Sequence, residues 1–159
     1  MDLPPGLLHI LAQTRLFTDA QTYVILSIPR SQATQAARVM MEVDGAFSSL
    51  IRDKDELTLI LPRGRWEDFR PLLEISGESP DYQLITFDTP LDLGLVGYLA
   101  TVTSALAELG ISIFSISAFS RDHILVPAED FDRAWEGLRA LIRACKDQEA
   151  VEISARSVE

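Results

Sequence analysis

Two short segments hold the residue types best suited to recognition chemistry. Leu93-Gly94-Leu95-Val96-Gly97 places two glycines in a loop that enters an apolar-periodic stretch. Glycine lets a ligand come close to the backbone, and the free N–H groups at a helix start favour a carboxylate or phosphate. The spacing is neither G-x-G-x-x-G nor a P-loop, and no lysine follows. The second segment is Ala118-Phe119-Ser120-Arg121-Asp122-His123, a polar turn between two strand-like runs. A carboxylate at Asp122 could hold an ammonium group through a charge-assisted hydrogen bond. Helix amides for a carboxylate and Asp122 for an amine together suit a zwitterionic amino acid. Two plainer readings stay open: glycines that only let a helix pack closely on a sheet, and an aspartate that only solvates a turn.

Other chemistries find less support. Ser112, Ser115, Ser117 and Ser120 sit in no G-x-S-x-G elbow. Asp122 and His123 are neighbours on a presumed strand, so their side chains point to opposite faces and form no dyad. His9 is the other histidine, and with one cysteine the chain has no zinc-ligand spacing. Cys145 and Trp135 fall on an apolar helix face, as core residues. No catalytic residue, metal ligand or cofactor motif is assigned, and the expectation is a protein that is not an enzyme.

The chain has 159 residues, 47% of them hydrophobic and 24% charged, enough for one ordinary domain or two small ones. A net charge of −10, with Lys and Arg scattered, argues against nucleic acid and against an anionic membrane surface. No run is long enough to span a bilayer, and Met1-Asp2-Leu3-Pro4-Pro5 lacks the basic region of a signal peptide. With a single cysteine, the expected compartment is the reducing cytoplasm.

The elements that would carry the two segments follow a regular order. Tyr82 to Phe87 reads as a strand. Leu95, Leu99, Val102, Leu106 and Leu109 then recur at helical spacing, with Gly110 as the stop. Strands are expected near 112–119 and 123–127. A helix through Phe131, Ala134, Trp135, Leu138, Leu141, Ile142 and Cys145 follows, and Val151 to Ser154 could supply a last strand. That is β-α-β-β-α-β, the ferredoxin-like order. The first half repeats it imperfectly: a strand at Thr22–Ile28, a helix through Met40, a hairpin across Asp53-Lys54-Asp55 and a short helix around Trp66 to Leu73. Leu7 to Phe17 adds an expected extra strand. Ser76 to Asp81, polar and rich in turn formers, is the expected linker. The expected fold is α+β, with two ferredoxin-like units: a degenerate first domain over residues 1–79 and a regular second one over 80–159.

The second half resembles the ACT domain, a small ligand-sensing module. The resemblance rests on Leu93 to Gly97, Ala107-Glu108-Leu109-Gly110-Ile111-Ser112-Ile113-Phe114, Ile116-Ser117-Ala118-Phe119 and Asp122-His123-Ile124-Leu125-Val126-Pro127. The subtype is that of small bacterial proteins with tandem ACT copies, related to the CASTOR arginine sensors. Tyr23 to Pro29 and Phe47 to Leu61 resemble the less regular leading domain of the same proteins. The resemblance implies a pocket for a small amino acid or related metabolite, built from Leu93, Gly94, Leu95 and Val96 with Ala118, Phe119, Ser120 and Asp122. It implies that Asp122 contacts the ligand. Ala118 stands where a threonine is usual, and Ser120 and Arg121 replace polar and aromatic residues. A symmetric homodimer is expected, because it would hide exposed strand edges. The alternative function is a ligand-free dimerisation or interaction module.

Overall fold

A computed structural model describes residues 3–156. In chain order its elements are α1 (Pro5–Gln13), β1 (Leu16–Phe17), β2 (Thr22–Ile28), α2 (Ala33–Glu42), β3 (Ser49–Arg52), β4 (Leu57–Pro62) and α3 (Arg63–Phe69). They continue as β5 (Gly77–Glu78), β6 (Tyr82–Phe87), α4 (Tyr98–Glu108), β7 (Phe114–Ser117), β8 (Asp122–Pro127) and α5 (Phe131–Arg156). The fold is α+β, with two ferredoxin-like units, the N-terminal one degenerate. By compactness, residues 19–84 form one unit, and the described residues 3–18 with 85–156 form the other. The sequence reading divides the chain at residues 79 and 80 instead; residues 1–2 and 157–159 at its outer ends lie outside the described residues.

In the 19–84 unit, β2 pairs antiparallel with β4, β4 with β3, and β5 with the other edge of β2. Val24, Leu26 and Ile28 alternate with the strand period and meet Leu57, Leu59 and Leu61, under Ala36, Val39, Trp66 and Phe69. The degeneracy lies in a seven-residue α3 and a two-residue β5. The expected linker is therefore part of this sheet. Ser76 N–H donates to the Ser27 carbonyl at 2.8 Å and Ser79 N–H to that of Ile25 at 3.0 Å. Arg63 reaches Glu78 at 2.5 Å and Asp81 at 2.7 Å, and Arg70 reaches Glu78 at 2.7 Å. Turn-forming residues mark the segment as a break, but its backbone groups still find a strand edge to pair with.

In the other unit, β6 neighbours β8, and β8 pairs antiparallel with β7. Two sequence expectations fail here. Val151 to Ser154 is not a strand, because α5 runs unbroken through Arg156. The stretch Lys146-Asp147-Gln148-Glu149-Ala150 is made of residues that tolerate or favour helix and offers no glycine or proline stop, and two β-branched residues do not interrupt it. Leu7 to Gln13 is not a strand either. Pro5 at the first helical position presets α1, and Leu7, Leu8, Leu11 and Ala12 form one buried helical face. Only Leu16 and Phe17 are extended, pairing with Phe87 and Thr86 of β6. The fourth strand of this unit thus comes from the N-terminal end of the chain.

The face of α1 enters the same core as Ile85, Phe87, Val102, Leu106, Ile124, Val126, Leu138 and Cys145. If α1 is a structural part of this unit, Leu11→Ala should lower unfolding free energy by about 2–5 kcal/mol, as for a fully buried leucine. Urea denaturation of the full chain measures this, and a loss below about 1 kcal/mol would make α1 an appendage. In the 19–84 unit, the Arg70 guanidinium leads in drawing Glu78 down from its ordinary 4.5 to about 2. The depressed carboxylate stabilises the fold above its ordinary value, and that contribution disappears as pH falls toward about 2. Glu78→Gln should therefore be less stable at neutral pH by about 1 kcal/mol or less, given solvent screening. Melting curves across acid pH should show the gap to wild type closing.

Candidate functional site

The loop after β6 is held by its own polar groups. Asp92 Oδ1 accepts the Gly94 N–H at 2.7 Å, and the Asp92 carbonyl accepts the Leu95 N–H at 3.0 Å. The Leu91 N–H donates to the Ser120 carbonyl at 2.8 Å, which ties this loop to the β7–β8 turn. Gly97 caps α4 with φ +91°, and a Cβ there would stand 3.1 Å from Leu7 Cδ2. Glycine is required on both counts. The Gly97 carbonyl accepts both the N–H and the hydroxyl of Thr101, which starts the helix.

Tyr98, the first residue of α4, turns inward and is 2% exposed. Its ring meets Phe87 edge-on at 5.7 Å. Its hydroxyl lies 2.9 Å from Thr14 Oγ1, just past α1. Because the Thr14 hydroxyl donates to the Ile10 carbonyl at 3.0 Å, Tyr98 is the donor of the pair. Burial pushes the phenol up to about 12, and the nearby charge of Asp122 adds to the rise.

The β7–β8 turn closes through the Ala118 N–H on the Arg121 carbonyl at 2.8 Å, which sets Ser117 opposite Asp122. Ser117 Oγ donates to Asp122 Oδ1 at 2.5 Å. Arg121 is turned toward Asp88, with Nε 2.9 Å from Oδ1. His123 faces away: Nδ1 lies 2.9 Å from Thr86 Oγ1, and burial lowers its pKa against the opposing pull of Asp122.

Loop and turn enclose a cavity of about 290 Å³ at the start of α4. Of the residues singled out in the sequence, Leu93, Leu95, Ala118, Phe119, Ser120 and Asp122 line it, and Gly94 and Val96 do not. Ser117, Tyr98, Leu99 and Ala100 also line it and were missed. Hairpin register could have found Ser117, since a turn closed by residues 118 and 121 opposes 117 to 122. The Gly94 and Leu95 amides are engaged by Asp92, so the free donors are the first-turn amides of α4. Leu93, Val96 and Phe119 are 74%, 84% and 82% exposed and lie on these two segments.

Cys145 is buried, and its thiol is pushed up by that burial. Among the described residues, no group of three or more His, Cys, Asp or Glu is arranged to hold a metal ion, and no helix is long and apolar enough to cross a membrane. Gly97→Ala should cost about 1–3 kcal/mol, since the left-handed backbone and the Leu7 contact both resist a side chain. Chemical denaturation checks it, with Gly6→Ala, which meets nothing within 4 Å, as the mild control.

Comparison with known proteins bears on this site. The model of the ACT domain family matches residues 78–140, which include the loop, α4 and the β7–β8 turn. No curated protein sequence matches the chain. A protein of unknown function from Vibrio cholerae, described as a possible transport protein, has a similar structure, with TM-score 0.67 and 23% identity over 86% of this chain and 96% of that one. A protein from Agrobacterium tumefaciens is 26% identical, with TM-score 0.64 over 80% of this chain and 88% of that one. The regulatory subunit of aspartate kinase from Thermus thermophilus, in a ligand-free form, shares the fold at 16% identity, with TM-score 0.58 over 80% of this chain and 97% of that one. The match to the ACT domain family spans residues 78–140, less than half of the chain, and the chain shares its fold with the regulatory subunit of aspartate kinase.

Proposed function

We propose that the chain is a non-enzymatic regulatory sensor of the tandem ACT type, akin to the bacterial group related to the CASTOR arginine sensors, and that it binds a small amino acid in the cavity at the start of α4. The observation that carries this reading is the meeting of Asp122 and the first turn of α4 around one cavity of about 290 Å³. The first-turn amides carry the partial positive charge of a helix start and suit the ligand carboxylate. Asp122, already oriented by Ser117, suits the ammonium group. Leu93, Leu95 and Phe119 offer apolar surface to a side chain. The reading moves the carboxylate donors from the Leu93–Val96 stretch to Tyr98–Ala100, because Asp92 already engages Gly94 and Leu95. Arg121, paired with Asp88, leaves the carboxylate of Asp122 for the ligand.

A second reading, a ligand-free interaction module, draws on the exposed Leu93, Val96 and Phe119, which a second copy in a homodimer would cover. A thermal-shift screen with the common amino acids separates the two. Under the sensor reading, at least one raises the melting temperature, and Asp122→Asn then weakens its binding by about 1.5–3 kcal/mol without loss of fold. Calorimetry showing unchanged affinity in Asp122→Asn would place the ligand elsewhere. No heat with any amino acid would favour the interaction module.

A further inference from the structure

We propose that the groove between α5 and the Thr14–Leu16 segment is a second ligand site, separate from the amino acid cavity, for a small anion that carries a flat ring, of the nucleoside phosphate class. The groove encloses about 280 Å³ and is lined by Thr14, Leu16, Trp135 and Ile142 with three cations, Arg139, Arg143 and Lys146. The cations are spaced by four and three residues, so they stand in one row along α5. In a chain of 24 acidic and 14 basic residues, such a row would be expected to find carboxylate partners. Among the described residues only Arg139 does, reaching Glu136 at 3.1 Å. Among the described residues, Arg143 and Lys146 make no ion pair, although Asp147 and Glu149 are close in sequence and His9 takes Glu149 at 2.6 Å.

The wall beside the cations gives the ligand its second feature. Trp135 is half-buried and stacks on Phe131 at 5.7 Å with 27° between the rings, which fixes the indole plane. An immobile indole next to cations is a surface on which a planar ring stacks while its phosphate meets Arg143 and Lys146. Arginine supplies a planar fork for phosphate oxygens and lysine a point charge. Ile142 and Leu16 form the apolar part of the lining. Thr14 already donates to Ile10 and accepts from Tyr98, so specificity rests on the cations and the indole.

The test titrates the full chain with adenosine 5′-monophosphate, adenosine and inorganic phosphate by calorimetry. The expected result is that the nucleotide binds and that adenosine and phosphate each bind about tenfold more weakly or worse, as two linked contacts require. Arg143→Ala with Lys146→Ala should weaken nucleotide binding by about tenfold or more and flatten its dependence on salt. Asp122→Asn, in the other cavity, should leave it unchanged. No heat with the nucleotide up to about 10 mM would overturn the proposal. Wild-type affinity in the double variant would overturn it as well, as would phosphate alone binding as tightly as the nucleotide.

Discussion

The burial of α1 in the C-terminal unit is the constraint on which the cavity at the start of α4 depends. Leu7, Leu8, Leu11 and Ala12 lie at 5% exposure or less in one core with both longer helices and the strands beneath them. Each buried leucine contributes on the order of 1.5–3 kcal/mol before entropy is counted. The same packing sets the backbone where the cavity begins. Leu7 stands against Gly97, and Thr14 receives the Tyr98 hydroxyl, so the first turn of α4 is fixed from below by residues outside the 78–140 stretch. The cavity mouth, by contrast, is held by a few hydrogen bonds, from Leu91 to Ser120 and from Gly94 and Leu95 to Asp92. A firm floor and a lightly tied rim are what a site needs if ligand is to order the rim.

The placement of charge follows a consistent logic around the site. Asp88 takes Arg121 and is also approached by Arg15 at 3.8 Å, so the basic residue on the hairpin is neutralised by its neighbour. Asp122 is left with a neutral hydroxyl as partner, which orients a carboxylate without cancelling its charge. Opposite it, α4 begins with no side-chain cap. Unfilled donors on one wall and an uncompensated acceptor on another have a polarity that a zwitterion can complete. His123, one residue away, takes no part, because strand alternation sends it to Thr86.

How far the chain could be read in advance differed by element, for physical reasons. The helix over Tyr98–Glu108 and its glycine stop were legible, since apolar spacing and the left-handed Gly110, at φ +70°, are local properties. So were β6, β7 and β8, and six of the eight residues singled out do line one cavity. What could not be read depends on distant partners. Leu16 is extended because Phe87 offers it an edge, seventy-one positions along the chain. Gly77 and Glu78 are a strand because Ser27 and Leu26 were left open. Val151 and Ile153 look like strand residues, yet nothing local stops α5 before them. Tyr98 is not among the residues of the apolar helical period, and its hydroxyl contact with Thr14 has no signature in sequence.

The strand exchange at β1 also orders events in time. Synthesis completes residues 19–84 before α5 exists, and within that unit β2, β3, β4 and β5 pair with one another. The apolar face of α1 emerges earlier still, yet its partners on α5 arrive only after more than a hundred further residues. During synthesis, Leu7, Leu8 and Leu11 therefore wait unburied after the first sheet is complete, and closing so distant a contact is slow. Maturation of the core shared by α1 and α5 is then a late event that waits for α5. A nascent chain halted near α4 would hold the paired strands β2 to β5 and no cavity at the start of α4.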